Sequence, residues 1–174
     1  VHSVKMPTFA VILNDMLTPI EAQFLARAIA LSRSGMENNE GGPFGSVVVL
    51  NNKIIGEGNN KVTSLNDPTA HAEVVAIRDA CANLQTFQLD DCEIYCSCEP
   101  CPMCFGAIYW ARPAKIFYAN TKQDAAAIGF DDQFIYDQLE IPMHERKIPL
   151  ISIKMDEAWA VFEDWKSKND KTQY

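Results

Sequence analysis

The sequence predicts an α/β chain, a three-layer α/β/α sandwich around a mixed sheet of about five strands. Three observations lead there. Short runs rich in β-branched and aromatic residues alternate with longer stretches of helical period, in the order αββαβαβα with a final βα. The helical stretches open on cap-type residues or proline. A single early hairpin, Ser46–Leu50 and Lys53–Gly56 across Asn51-Asn52, precedes strands that are separated by helices. With 174 residues and 48% hydrophobic composition, the chain has material for one globular core.

Residues 1–17 show no clear period and read as an extension of unknown role, ahead of one domain over 18–174. Thr18-Pro19-Ile20-Glu21 forms a capping box with proline at the first helical position. The helix that follows turns Phe24, Ala28 and Leu31 to one side, and Gly35 is its expected stop. Gly41-Gly42-Pro43-Phe44-Gly45 reads either as a plain turn or as a close backbone approach to a flat ligand. It lacks the Lys-Ser/Thr of a phosphate loop and runs into a strand. Asp67 and Pro68 are the expected cap and first residue of a helix carrying Val74, Ile77, Cys81 and Leu84 on its buried side. Glu93–Cys96 is a strand, and Pro100 or Pro102 opens a helix through Trp110 that Arg112-Pro113 ends. Lys115–Ala119 is a further strand. Thr121 starts a helix that Gly129 stops, a short apolar stretch surrounds Phe134 and Ile135, and Leu150–Ile153 is the last strand. Asp156 caps a final helix bearing Ala158, Phe162 and Trp165.

Two stretches carry the chemistry. Thr69-Ala70-His71-Ala72-Glu73 offers an imidazole and, two residues on, a carboxylate. Ser97-Cys98-Glu99-Pro100-Cys101-Pro102-Met103-Cys104 offers two thiols at i and i+3, which one helical turn places on a common face. Three N/S ligands and a spare carboxylate suit a catalytic zinc, which keeps one position for water, better than a structural zinc with four protein ligands. His71 and Glu73 share no helix face, so both reach one site only if the metal lies off the helix end. Near a helix N-terminus the imidazole is kept neutral, as a ligand must be.

Other readings stay open at this level. Cys101 and Cys104 could be a redox pair, and Cys96, Cys98, Cys101 and Cys104 could hold a four-thiolate structural zinc, which would leave His71 and Glu73 without a role. The formal net charge of −8 argues against a general affinity for nucleic acid. Six cysteines without a disulfide-like spacing suggest a reducing compartment. Phe9–Leu13 is too short for a signal-peptide core or a membrane span, so the expected location is cytoplasmic.

The H-x-E and P-C-x-x-C pair resembles the zinc nucleobase deaminases of the cytidine deaminase superfamily. Further stretches are similar to bacterial guanine deaminases: Gly41–Gly45, Asn66–Thr69, Ala107–Pro113 and Ile128–Asp132. That resemblance implies one Zn2+ per subunit on His71, Cys101 and Cys104, with Glu73 as proton shuttle. It also implies a purine pocket formed by Phe44, Asn60, Ala72, Trp110, Asp132 and Tyr174, in a homodimer whose C-terminal segment can cross between subunits. The implied reaction is hydrolysis of guanine to xanthine and ammonia. A guanosine deaminase, a tRNA adenosine deaminase, a cytosine deaminase and a non-catalytic zinc module are the alternatives.

Overall fold

The computed structural model describes residues 17–173, which fall into two compact units divided after Asp131. The first unit holds α1 (Pro19–Glu37), β1 (Gly45–Leu50), β2 (Lys53–Asn59), α2 (Val62–Leu65), α3 (Ala72–Leu84), β3 (Glu93–Cys98), α4 (Pro102–Ala111), β4 (Lys115–Asn120) and α5 (Lys122–Ala127). The second holds α6 (Gln133–Glu140), a 3-10 turn at Met143–Glu145 and α7 (Asp156–Ser167).

The sheet is mixed, in the order β2-β1-β3-β4. β1 pairs antiparallel with both β2 and β3, whereas β3 and β4 run parallel across the α4 crossover. Strand alternation splits the core into two layers. Val47, Val49 and Tyr95 pack with Phe24 of α1 on one face; Val48, Ile94 and Cys96 pack with Ala76, Ala80 and Ile108 of α3 and α4 on the other. The predicted α/β/α layering is present with four strands rather than five. Leu150–Ile153 has a strand's composition, but composition supplies no ladder partner, and the segment lies outside the sheet.

The hairpin forms as expected, because Asn51 and Asn52 both adopt positive φ (51° and 60°), the geometry of a two-residue turn matched to strand twist. Elsewhere local signals misplace boundaries. α1 runs through Gly35 to Glu37, since Gly35 is a point of contact with the Asn59 side chain rather than a stop. Asp67 does not cap a helix: its Oδ1 accepts from the Thr69 N–H and hydroxyl at 2.8 and 2.7 Å, closing a turn, and α3 starts at Ala72 with His71 as N-cap. The fully buried side of α3 is Ala72, Ala76 and Ala80, with the predicted Ile77, Cys81 and Leu84 only partly buried beside them. Small residues are needed there because the helix lies directly on Gly56 and Gly58 of β2. Asp156 occupies the first helical position of α7, after the N-cap Met155, where an acidic side chain still complements the helix dipole. The stretch around Phe134 and Ile135 is the helix α6, supported by an i, i+4 bond from Gln133 Nε2 to Asp137 Oδ1 at 2.8 Å.

Candidate metal centre

Four helices in the first unit begin in two different ways. Thr18 and Thr121 close full capping boxes on α1 and α5. His71 and Cys101 hold the same N-cap position on α3 and α4, yet neither side chain makes a capping bond. Both point elsewhere, at each other: His71 Nδ1 lies 3.5 Å from Cys101 Sγ and 3.5 Å from Cys104 Sγ. The three ligand atoms all lie within 4.8 Å of one another. A tetrahedral zinc with bonds of about 2.0–2.3 Å has ligand-to-ligand edges of about 3.5–3.8 Å, so the donor set fits that ion in chemistry and the two His71–cysteine edges fit it in spacing.

His71 at the helix end, rather than within the first turn, removes the difficulty of i and i+2 residues sharing one site. Glu73 then sits in the first turn of α3, 7% exposed, and the Cys104 thiol donates to its Oε2 at 3.4 Å. Burial pushes the Glu73 carboxyl above the usual carboxylate range, opposed by a bond from its own main-chain N–H. A hydrogen bond from the Cys104 thiol, reinforced by His71, holds Cys101 down to about 4, and the same Cys101–Cys104 bond raises Cys104. Metal binding requires both sulfurs as thiolates and would displace the Cys104 proton.

The surrounding strands fix this geometry. The buried Ser97 Oγ accepts from Gly45 N–H at 2.9 Å, tying the start of β1 beside Phe44 to the end of β3 beside the cysteine loop. Glu99 Oε2 accepts from Lys122 N–H at 3.0 Å. Neither contact was foreseen from the sequence; only the position of both residues within the cysteine motif hinted at them. Cys96 and Cys98 are buried strand residues, Cys96 Sγ 3.6 Å from Ser46 Oγ and Cys98 Sγ donating to Thr121 O at 3.5 Å. They lie outside the His71, Cys101, Cys104 cluster, which removes the four-thiolate reading.

The other expected residues are placed unevenly. Phe44 is half-buried and meets Phe130 edge-on, with centroids 4.9 Å apart. Asn60 is buried next to it, its N–H donating to Phe44 O at 3.0 Å. Ala72 is buried against β2, between His71 and Glu73. Trp110 lies near the far end of α4 and is 67% exposed. Asp132 is the N-cap of α6 in the second unit, and its side chain makes no capping bond. Tyr174 lies outside the described residues.

Residues 19–120 match the cytidine and deoxycytidylate deaminase zinc-binding region. The chain is 53% identical to a guanine deaminase of Bacillus subtilis (strain 168) over 151 residues, covering 87% of this chain and 97% of that one. A tRNA-specific adenosine deaminase of Aquifex aeolicus is 40% identical over 96 residues, 55% of this chain and 63% of the relative. Among solved structures, the guanine deaminase from Bacillus subtilis superposes with a TM-score of 0.86 at 52% identity, covering 88% of this chain and 98% of that one. The guanine deaminase from Nitrosomonas europaea superposes with a TM-score of 0.60 at 30% identity, covering 76% and 77%.

Proposed function

The chain belongs to the cytidine and deoxycytidylate deaminase zinc-binding family, and within it we infer a zinc-dependent guanine deaminase, hydrolysing guanine to xanthine and ammonia. One observation carries this reading. His71, Cys101 and Cys104 converge at the N-termini of α3 and α4 with the buried Glu73 beside them, in a chain 53% identical to a guanine deaminase over almost the whole of that relative.

When bound, zinc supplies Lewis-acid activation of a water molecule near neutral pH. His71, Cys101 and Cys104 hold it. Glu73, outside the ligand set, takes one proton from the attacking water and passes it to the ring nitrogen, then takes the remaining hydroxyl proton of the adduct and delivers it to the departing amine. Burial raises its pKa, which favours uptake of a proton relative to an ordinary exposed carboxylate. Water adds at the amino-bearing carbon, the C–N bond breaks, and ammonia leaves a carbonyl behind. Phe44, Asn60, Ala72, Trp110, Asp132 and Tyr174 form the purine pocket in this reading. Phe44 and Trp110 supply aromatic faces, while Asn60 and Asp132 supply hydrogen bonds to the base edge.

The same reading treats 18–174 as one catalytic domain, working as a cytoplasmic homodimer with the C-terminal segment exchanged between subunits. Two features support it. Among the described residues β4 is paired on one side only, and no residue of 132–173 is buried, with Ile151 81% exposed. No described helix is long and apolar enough to cross a membrane.

The test is ammonia release by the zinc-loaded protein with guanine, guanosine, adenine and cytosine side by side. Turnover of guanine alone is the expected result. Preference for guanosine would preserve the zinc and Glu73 roles but overturn the closed base pocket, and no turnover of any of the four would overturn the enzymatic reading. Light scattering at working concentration should return twice the chain mass.

A further inference from the structure

Asn60 sits at a junction. Its N–H donates to Phe44 O at 3.0 Å, and the N–H of Lys61 donates to Ala70 O at 2.9 Å, so one side of it is the Phe44 loop and the other is the residue preceding His71. Its side chain is fixed from within: Oδ1 accepts from the N–H of Gly42 at 3.3 Å and of Val62 at 3.2 Å. Two main-chain donors can be answered only by the oxygen end of an amide. The Nδ2 end therefore faces away from them, and Asn60 can offer a ligand donors only. A partner for it must carry an acceptor, a carbonyl oxygen or an unprotonated ring nitrogen, and guanine has both.

The backbone under that amide is held by a second network. Asn59 Nδ2 donates to Asn60 O at 3.3 Å and to Glu40 Oε2 at 2.6 Å, a short charge-assisted bond. Glu40 is itself anchored at both ends of its main chain. Its N–H donates to Gly35 O at 2.9 Å, and its carbonyl accepts from Ser64 N–H and Thr63 Oγ1, each at 3.1 Å. Glu40 thus joins the end of α1, the end of β2 and the single turn α2. The packing leaves no slack: a Cβ on Gly35 would overlap the Asn59 amide, and one on Gly41 would overlap Asn60 Oδ1 and stand 2.5 Å from Asn60 O.

We propose that Glu40 is a positioning residue for the substrate, acting through Asn59 to hold the Asn60 amide with its donors outward. The inference rests on guanine deamination as the activity. Glu40 touches no reacting atom, so its loss weakens binding of the base while leaving zinc and the proton shuttle in place.

The test compares zinc-loaded wild type with Glu40→Ala, Glu40→Asp and Glu40→Gln in steady-state guanine turnover, with zinc content measured on each. The expected result is a KM raised roughly tenfold in Glu40→Ala, the loss of one charge-assisted hydrogen bond, with kcat within about twofold and full zinc. Glu40→Asp, one methylene shorter, should behave like Glu40→Ala and serves in its place if that variant fails to fold. Glu40→Gln keeps an acceptor at full reach and should return KM to within about threefold of wild type. An unchanged KM in Glu40→Ala or Glu40→Asp, or a loss of kcat accompanied by loss of zinc, would overturn the positioning role. A wild type that does not turn over guanine would instead count against the activity itself.

Discussion

Replacing Gly58 by alanine should damage the active site without touching any of its side chains. An added Cβ at Gly58 would stand 2.6 Å from Ala76 N, about 0.8 Å short of ordinary contact, and closer still to Ala72 O. Both opposing atoms are helix backbone and cannot rotate aside, so α3 must lift from β2 by most of that shortfall. Overpacking of this kind costs about 1–3 kcal/mol. In a chain of this length that lowers Tm by about 2–12 °C. Ala72 lies between His71 and Glu73, so the same displacement carries both side chains with it. A misplacement near 1 Å is worth on the order of a hundredfold in rate. The assay is guanine turnover with zinc stoichiometry and thermal unfolding on one preparation. A Gly58→Ala variant with full zinc and kcat/KM within twofold of wild type would refute the idea that the glycine–alanine seam sets the site.

Glu73→Ala should retain a full equivalent of zinc and lose at least about a hundredfold in kcat, the ordinary worth of a general acid–base; wild-type turnover would remove its role. Cys104→Ala should lose both metal and activity, and zinc analysis showing one bound equivalent would remove Cys104 from the ligand set. In zinc-stripped protein, iodoacetamide should label Cys101 first, its thiolate favoured by a pKa near 4, while Cys98, pushed by burial up to about 11, stays unmodified. Added zinc should abolish the Cys101 labelling, as mass mapping can show. The Arg27 fork on Glu57, at 2.8 and 2.6 Å, holds the Glu57 carboxyl below the usual carboxylate range. The pair's contribution is complete above the ordinary carboxylate pKa and is lost as pH falls through the lower folded pKa. The Tm difference between wild type and Arg27→Met, worth at most about 1 kcal/mol at this exposed position, should therefore shrink in acid.

The His71, Cys101 and Cys104 cluster was legible because a metal site needs particular residue types at fixed local spacings. The hairpin was legible because Asn51-Asn52 accepts positive φ at low cost. What failed were signals with two meanings. Asp67-Pro68 opens a turn as readily as a helix, and only the turn puts His71 at the helix end. Gly35 reads as a stop until the Asn59 amide is seen against it. Glu40 and Asn59 carry no local signal at all, being 19 residues apart and joined only by the fold. Leu150–Ile153 has the pattern of a strand, but pairing is a property of two segments and cannot be read from one.

The uncapped starts of α3 and α4 set a trap for anyone improving this protein. A Ser, Thr or Asp at position 71 or 101 would satisfy orphan N–H groups worth about 1 kcal/mol per helix, so a search that ranks sequences by folding stability would favour replacing two of the three ligands. Bound metal would tie the two helix starts together through His71, Cys101 and Cys104, a cross-link in place of side-chain caps. Zinc-starved protein should loosen first at these two helix ends, which makes metal supply a condition for surviving proteolysis as well as for turnover.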